Sequence, residues 1–244
     1  MKRTLKRLKN WVMPKLASAI DAEKAEYCFY INYLTEGMTA FDVGANVGEL
    51  TVLFARFVGA TGSVHSFEAT PATFEKLTRL SEAANLTRVK LNNVAVAERE
   101  SLMMFNTYDE QHASWNTLAV RDLKSHNINI ASPVQQEVQA ITLDAYCEQH
   151  KIEFIDLLKI DVEGAELRVL LGAERLFREK RVRCCSLEYG GTMYDMGDTP
   201  EQVEAFLEKT GYRIENVVRN NPVFPGRENL KTAPFAIHIV RPKA

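Results

Sequence analysis

Two stretches of this 244-residue chain combine residue types that could do chemistry. In the first, Phe41-Asp42-Val43-Gly44-Ala45-Asn46-Val47-Gly48, an apolar run ends in an acid and then in two glycines that flank the start of a helical pattern. Glycine in such a turn permits positive φ and close approach of a ligand to the backbone, while the first N–H groups of a helix offer donors. In the second, Leu157-Leu158-Lys159-Ile160-Asp161-Val162-Glu163-Gly164-Ala165-Glu166, a buried strand delivers acids at its carboxyl end, where open α/β sheets place ligands. Between them, the apolar residues 63–67 end in Glu68, twenty residues after Gly48. Open α/β folds put an acid there for the hydroxyls of a ribose.

The spacing discriminates between ligands. A dinucleotide fingerprint needs glycine at 44, 46 and 49, and this chain has Asn46 and Glu49 at the second and third places. Asp42 at the strand end also repels a pyrophosphate. A ligand with a cationic end and hydroxyls suits Asp42, Gly44, Gly48 and Glu68 better, and S-adenosylmethionine has both.

The elements that must position these residues alternate. Strands are expected at 39–43, 63–67, 89–96, 154–160 and 182–189, and helices at 49–58, 71–85, 144–150 and 165–178, from apolar runs and from 3–4 spacing such as Leu50, Leu53, Phe54 and Phe57. Residues 21–35 read as a further helix that could cover the pocket, and Asp144 as the cap of the helix after it. Thr199-Pro200-Glu201-Gln202 is a capping box with proline at the first helical position. The last strands, 212–218 and 235–240, are joined by a loop too short for a crossover helix, so they should pair antiparallel. Residues 101–141 interrupt the alternation: strands at 102–106 and 137–141 enclose a polar loop, Tyr108 to Pro133, that forms a candidate substrate cover. The expected organisation is an N-terminal helical arm, 1–35, and one α/β domain, 36–244, containing that insertion.

Composition narrows the function further. Residues 1–20 carry six basic side chains and no acid, so removing them from a net charge of −2 leaves −8 on the body. A wide nucleic-acid surface needs the opposite sign, and no nucleic-acid partner is expected. Cys28, Cys147, Cys184 and Cys185 show no metal-type spacing, which fits a reducing, cytoplasmic setting. No apolar run is long enough to span a bilayer, and no signal-peptide core follows the basic start. Leu5, Leu8, Val12 and Leu16 form a stripe beside Lys and Arg that could lie on an anionic membrane; docking on the domain or on a second copy accounts for the same stripe and is the preferred reading.

With all three motifs in order, the chain resembles the FkbM family of S-adenosylmethionine-dependent methyltransferases from about Thr39 to Tyr189. The family pattern is an Asp-Val-Gly-Ala-Asn-x-Gly turn, a Phe-Glu strand end and a Lys-Ile-Asp-Val-Glu-Gly-x-Glu segment. The resemblance implies a class I methyltransferase fold, Rossmann-like, with a mostly parallel seven-stranded sheet, and O-methylation of a hydroxyl on a sugar, glycolipid or small metabolite. It implies that Asp42, Gly44, Asn46 and Gly48 meet the methionine part, Glu68 the ribose, and Asn93 and Ala95 the adenine. One departure is Ala69-Thr70-Pro71, where the family commonly has proline directly after the acid.

Methyl transfer from a sulfonium needs the acceptor oxygen aligned and its proton removed. Asp161 is the first candidate to orient the acceptor or act as base, with Glu163 its rival and Lys159 a partner for one of the acids. His112, Ser114 and Trp115 in the polar loop, and Glu188 and Tyr189 at the next strand end, are candidates to line the acceptor pocket. Asp161 and Glu188 could instead hold a divalent cation, although a full ligand set is not legible. His65, inside a strand, reads as structural. Two other function classes stay open here: a non-catalytic S-adenosylmethionine-binding module and an NAD-dependent oxidoreductase, the latter disfavoured by the glycine spacing.

Overall fold

The computed structural model describes residues 22–108, 116–118, 132–227 and 235–243. Seven strands form one sheet in the order β3-β2-β1-β7-β8-β10-β9. These are β1 (Thr39–Val43), β2 (Ser63–Phe67), β3 (Val89–Asn92), β7 (Leu157–Ile160), β8 (Cys185–Tyr189), β9 (Tyr212–Asn216) and β10 (Ala236–Pro242). The first five run parallel, and β10 is antiparallel to both β8 and β9. A mostly parallel sheet that ends in an antiparallel hairpin is the expected architecture.

Helices cover both faces because alternate strand residues are buried on each. Phe41, Val43, Leu158, Ile160 and Leu187 face one core, into which α4 (Leu143–Gln149), α5 (Glu166–Leu171), α6 (Glu174–Arg178) and α8 (Pro200–Thr210) pack. The short α7 (Thr192–Asp195) adds Met193 to it. Ala40, Val64, Leu157, Cys184 and Ile239 face the other, covered by α1 (Ala22–Tyr33) and α2 (Glu49–Val58). The helix α3 (Pro71–Ala83) follows β2 and places Leu77 against the Gly48 turn.

Several boundaries differ from those the sequence suggests, each for a local reason. The strand expected at 89–96 divides, because after Asn92 the chain leaves the large sheet, and Ala95–Val96 becomes β4 of a second sheet ordered β4-β6-β5. Its other members, β5 (Ser101–Thr107) and β6 (Val134–Ile141), pair antiparallel and carry the roots of the polar loop. The helix expected at 165–178 breaks at Gly172, where a Cβ would lie 2.1 Å from the carbonyl oxygen of Ala97. Asp144 does not cap its own helix: Thr142 Oγ1 accepts from Ala145 N at 3.1 Å, and the Asp144 carboxylate accepts from Arg175 N and Leu176 N at the start of α6. The capping box at Thr199 and Gln202 forms as expected. The basic arm up to residue 20, with its apolar stripe, lies outside the described residues.

Candidate functional site

A polar row crosses the sheet one residue short of its carboxyl edge. Register places Ser66, Asp42, Lys159 and Ser186 side by side on β2, β1, β7 and β8, all facing α1 and α2 and all nearly without solvent exposure. Polar groups at that depth must satisfy one another. Thr51 on α2 donates to Asp42 Oδ2 at 2.6 Å and lies 2.8 Å from Ser66 Oγ. Lys159 Nζ sits 3.4 Å from Asp42 Oδ1 and 3.3 Å from Asp161 Oδ2, and donates to the carbonyl of Gly44 at 2.8 Å. From α1, the Tyr30 hydroxyl binds Glu26 and lies 3.0 Å from Ser186 Oγ. Burial alone lowers the pKa of Lys159, but the flanking Asp161 and Asp42 outweigh it and keep the ammonium charged.

Above this row the cavity opens along the strand ends, from β7 across β1 and β2 to β3. At the β7 and β1 side the polar residues Asn46, Glu68, Asp161 and Glu163 line it together with Gly44, Val43, Val162 and Ala165. Beyond β2 it is apolar, formed by Phe67, Ala69, Val94, Ala95, Val96, Phe105 and Leu118, with Asn116 among them. Gly44 has φ 78°, and an added Cβ would lie 1.8 Å from the backbone oxygen of Asp161. No side chain can therefore fill this side of the cradle. Glu68 is 9% exposed and accepts from Asn46 N, Thr70 N and Thr70 Oγ1 at 3.0, 3.0 and 2.7 Å. Burial raises its pKa against these bonds. A hydroxyl-bearing ligand entering here would meet an aimed carboxyl group.

The sequence candidates separate on this geometry. Gly44, Asn46, Glu68, Ala95, Asp161 and Glu163 line the cavity; Asp42, Gly48 and Asn93 do not. Asp42 takes a hydrogen bond from Thr51 on Oδ2 and faces the Lys159 ammonium with Oδ1, which has no hydrogen-bond partner of its own, so it supports the turn from below. At Gly48 (φ 99°) a Cβ would come 2.5 Å from Leu77 Cδ1, so that glycine seats α2 on α3. Asn93 donates to the carbonyls of Glu68 and Ala69, which shapes the loop leaving Glu68. Lys159 partners Asp42 and Asp161, neither Glu163 nor Glu166. Glu166 instead accepts from Val162 N and Gly164 N, tying down the turn on which Glu163 sits with φ 57°. Burial pushes the Glu166 carboxyl up to about 7 despite those bonds. His65 bonds the Tyr146 hydroxyl at 2.8 Å, and burial draws its pKa down to about 4, in keeping with a structural histidine. His112, Ser114 and Trp115 lie outside the described residues.

At the β7 and β8 ends Asp161 and Glu188 are neighbours. Burial acts to raise the pKa of Asp161, and Lys159 with hydrogen bonds outweighs it, so the carboxylate stays below its usual range. Burial and the charge of Asp161 push Glu188 well above its own. One carboxyl oxygen of Glu188 is buried without a hydrogen-bond partner in the structure. Tyr189, almost fully buried, pairs its hydroxyl with that of Tyr194 at 3.0 Å. Among the described residues no set of three or more His, Cys, Asp or Glu side chains is placed to hold a metal ion. The helix α1, expected over the pocket, supplies none of its lining and covers the polar row instead. Missed by sequence reasoning were Glu26, Thr51, Asn116 and Leu118, none of which stands in a motif.

A glycine turn after β1, an acid ending β2 and acids ending β7, on a sheet whose last hairpin is antiparallel, define a class I S-adenosylmethionine-dependent methyltransferase. The FkbM methyltransferase domain matches residues 42–214, and the chain belongs to that family. It is 27% identical over 215 residues to 31-O-demethyl-FK506 methyltransferase FkbM of Streptomyces tacrolimicus, covering 80% of this chain and 79% of that one. It is 25% identical to Methyltransferase 1 of Beauveria bassiana, over 60% of this chain and 63% of that one. Two solved structures share the fold. Methyltransferase FkbM from Methylobacillus flagellatus aligns with TM-score 0.51 at 14% identity, over 84% of this chain and 43% of that one, so the present chain spans less than half of it. A putative rRNA methylase from Clostridium thermocellum aligns with TM-score 0.53 at 12% identity, over 92% and 97%. The protein is a methyltransferase and its cofactor is S-adenosylmethionine. The nicotinamide reading therefore falls.

Proposed function

We propose that the protein methylates a hydroxyl oxygen of a small molecule, a sugar or a glycolipid. The observation that carries this is Asp161: it lines the cavity at the strand end, is the exposed member of the Lys159 cluster with 39% of its side chain accessible, and is held as a carboxylate by Lys159 at 3.3 Å. Such a group is a weak Brønsted base and a strong, oriented hydrogen-bond acceptor. That division suits the chemistry, because alignment is worth on the order of 7–11 kcal/mol whereas a general base adds ~10²–10⁴ in rate. S-adenosylmethionine supplies an electrophilic methyl group on its sulfonium. Asp161 fixes the acceptor hydroxyl and draws its proton, and Glu163 flanks it on the next turn; Glu188 and Tyr189, expected beside the acceptor, do not line the cavity.

The relative from Streptomyces tacrolimicus bears an O-methyl acceptor in its name, which supports oxygen as the site of transfer. The four cysteines are free, in keeping with work in the cytoplasm. No helix among the described residues is long and apolar enough to cross a membrane. Peripheral contact through residues 1–16, and self-association, belong to the same proposal as roles for the basic arm.

The test is labelled-methyl transfer into glycans, glycolipids and hydroxylated metabolites, followed by Asp161→Asn on the acceptor found. The variant should bind S-adenosylhomocysteine as the wild type does and lose ~10²–10⁴ in turnover, with a chelator making no difference to either protein. Label on nitrogen or carbon would overturn the oxygen assignment. Wild-type turnover in Asp161→Asn would remove this residue from the mechanism.

A further inference from the structure

The insertion returns to the site in a way its polar sequence does not announce. Residues 116–118 run along the cavity, which Asn116 and Leu118 line, and are pinned at three points. Thr117 bridges to Asn106 on β5 through two backbone hydrogen bonds, of 2.9 and 3.1 Å. Its hydroxyl donates to the carbonyl of Glu163 at 2.8 Å, on the turn beside the acceptor acids. Asn116 Nδ2 donates to Thr70 Oγ1 at 3.4 Å, and Thr70 in turn donates to Glu68 at 2.7 Å. The strap therefore joins the Glu68 loop to the Glu163 loop.

Its two outer residues belong to the apolar end of the cavity. Leu118 packs in the core of the small sheet with Ala69 and Phe105, and both Asn116 and Leu118 line the cavity. With Glu68 taking the ribose and the Gly44 turn the amino-acid end, the base must lie past β2, between Ala69, Ala95 and these residues. A purine needs apolar faces there and hydrogen-bond partners at its edge. Asn93, the asparagine expected to serve, is turned away to Glu68 O and Ala69 O. Asn116 is the one polar side chain lining that end among the described residues. Its Oδ1 is fixed by Tyr108 N at 2.9 Å, so the amide plane is set, and Thr70 takes one of the two hydrogens on Nδ2. The second suits a ring nitrogen of adenine, which accepts.

We propose that Asn116 and Leu118, carried on the insertion, hold the adenine of S-adenosylmethionine, so that residues 116–118 form a cofactor-binding element. This rests on the reading of the cavity as the cofactor site.

Calorimetric titration tests it with two probes, S-adenosylhomocysteine and 5′-methylthioadenosine, the second lacking the amino-acid end. Asn116→Ala and Leu118→Ala should each weaken both probes by the same factor, roughly 3–10-fold, as expected for one lost hydrogen bond or apolar contact. The melting temperature without ligand should stay near that of the wild type for Asn116→Ala, which keeps the Thr117 pins. A strap with a structural role alone would lower that temperature and leave the affinities intact, and this result overturns the proposal. Should Leu118→Ala fail to fold, Asn116→Ala decides alone. Failure of the wild type to bind S-adenosylhomocysteine would instead remove the cofactor reading of the cavity, a separate outcome visible in the first titration.

Discussion

The backbone oxygen of Asp161 occupies the space that a Cβ on Gly44 would need, 1.8 Å from its ideal position. The tips of β1 and β7 are thus in contact at the polar end of the cavity, and Lys159 Nζ reinforces the contact by donating to the Gly44 carbonyl at 2.8 Å. Gly44→Ala should cost at least about 2 kcal/mol, because the left-handed φ of 78° and the backbone clash both act against it. Scanning calorimetry should show a lower melting temperature and titration a lost response to S-adenosylhomocysteine. A variant that melts and binds like the wild type would show that the two tips can part freely.

Lys159 supports two carboxylates at once, and the deeper of them, Asp42, has no solvent exposure. Removing one partner of a buried ion pair leaves an uncompensated charge, at a typical cost of about 3–5 kcal/mol. Lys159→Met should therefore destabilise strongly in urea titrations, and Lys159→Met combined with Asp42→Asn should recover part of the loss. The double variant being as unstable as the two single losses added would mean that the pair is not coupled.

Much of this arrangement was legible in the residues. The glycine turn, the three acidic strand ends and the antiparallel last hairpin follow from patterns that local chemistry enforces, since a turn needs positive φ and parallel strands need helical crossovers. Depth was not legible. Asp42 stands in a motif, but only the register that sets it between Ser66 and Lys159 shows that it faces α2 and lies outside the cavity lining. Glu26 lies on α1, whose aromatic residues form no clean stripe, so nothing in the spacing marks its carboxyl as the buried one. Asn116 and Leu118 sit in a polar stretch whose return to the site depends on the Asn106 to Thr117 bridge, a contact between segments with no shared periodicity. The division of 89–96 into two strands has the same cause, because Ala95 and Val96 find their partners in β6.

Glu68 illustrates how geometry revises a simple expectation. The sequence suggests only a ribose ligand, yet the carboxylate also accepts from Asn46 N, Thr70 N and Thr70 Oγ1. Glu68→Gln places an amide N–H against one of these donors. Affinity for S-adenosylhomocysteine should fall by about ten-fold or more, as for a lost charge-assisted hydrogen bond of roughly 1.5–3 kcal/mol, and the melting temperature should fall with it. An unchanged dissociation constant by calorimetry would take Glu68 out of the ribose site.

The Glu26 carboxyl offers a prediction in which the sign can be worked out in full. It is 8% exposed on α1, bonded to Tyr30, and its pKa rises from 4.5 to about 7. Burial is the main cause, with Asp161 and Asp42 adding to it and Tyr30 and Lys159 opposing. A carboxyl whose pKa is raised by folding favours the native state while protonated, so its contribution is fully present below pH 4.5 and is lost as pH rises to about 7. Across that window the unfolded chain releases the proton first, and the wild type loses on the order of 3 kcal/mol relative to a protein without the group. Glu26→Gln keeps a hydrogen-bond partner for Tyr30 and cannot ionise. Its stability in urea, set against that of the wild type, should gain steadily between pH 4.5 and 7 and hold level above, all other titrating groups being common to both proteins. A difference between the two that stays flat across the window would mean that Glu26 ionises in the native state as it does in the unfolded chain. The polar row would then carry one more full negative charge than its single lysine and burial allow.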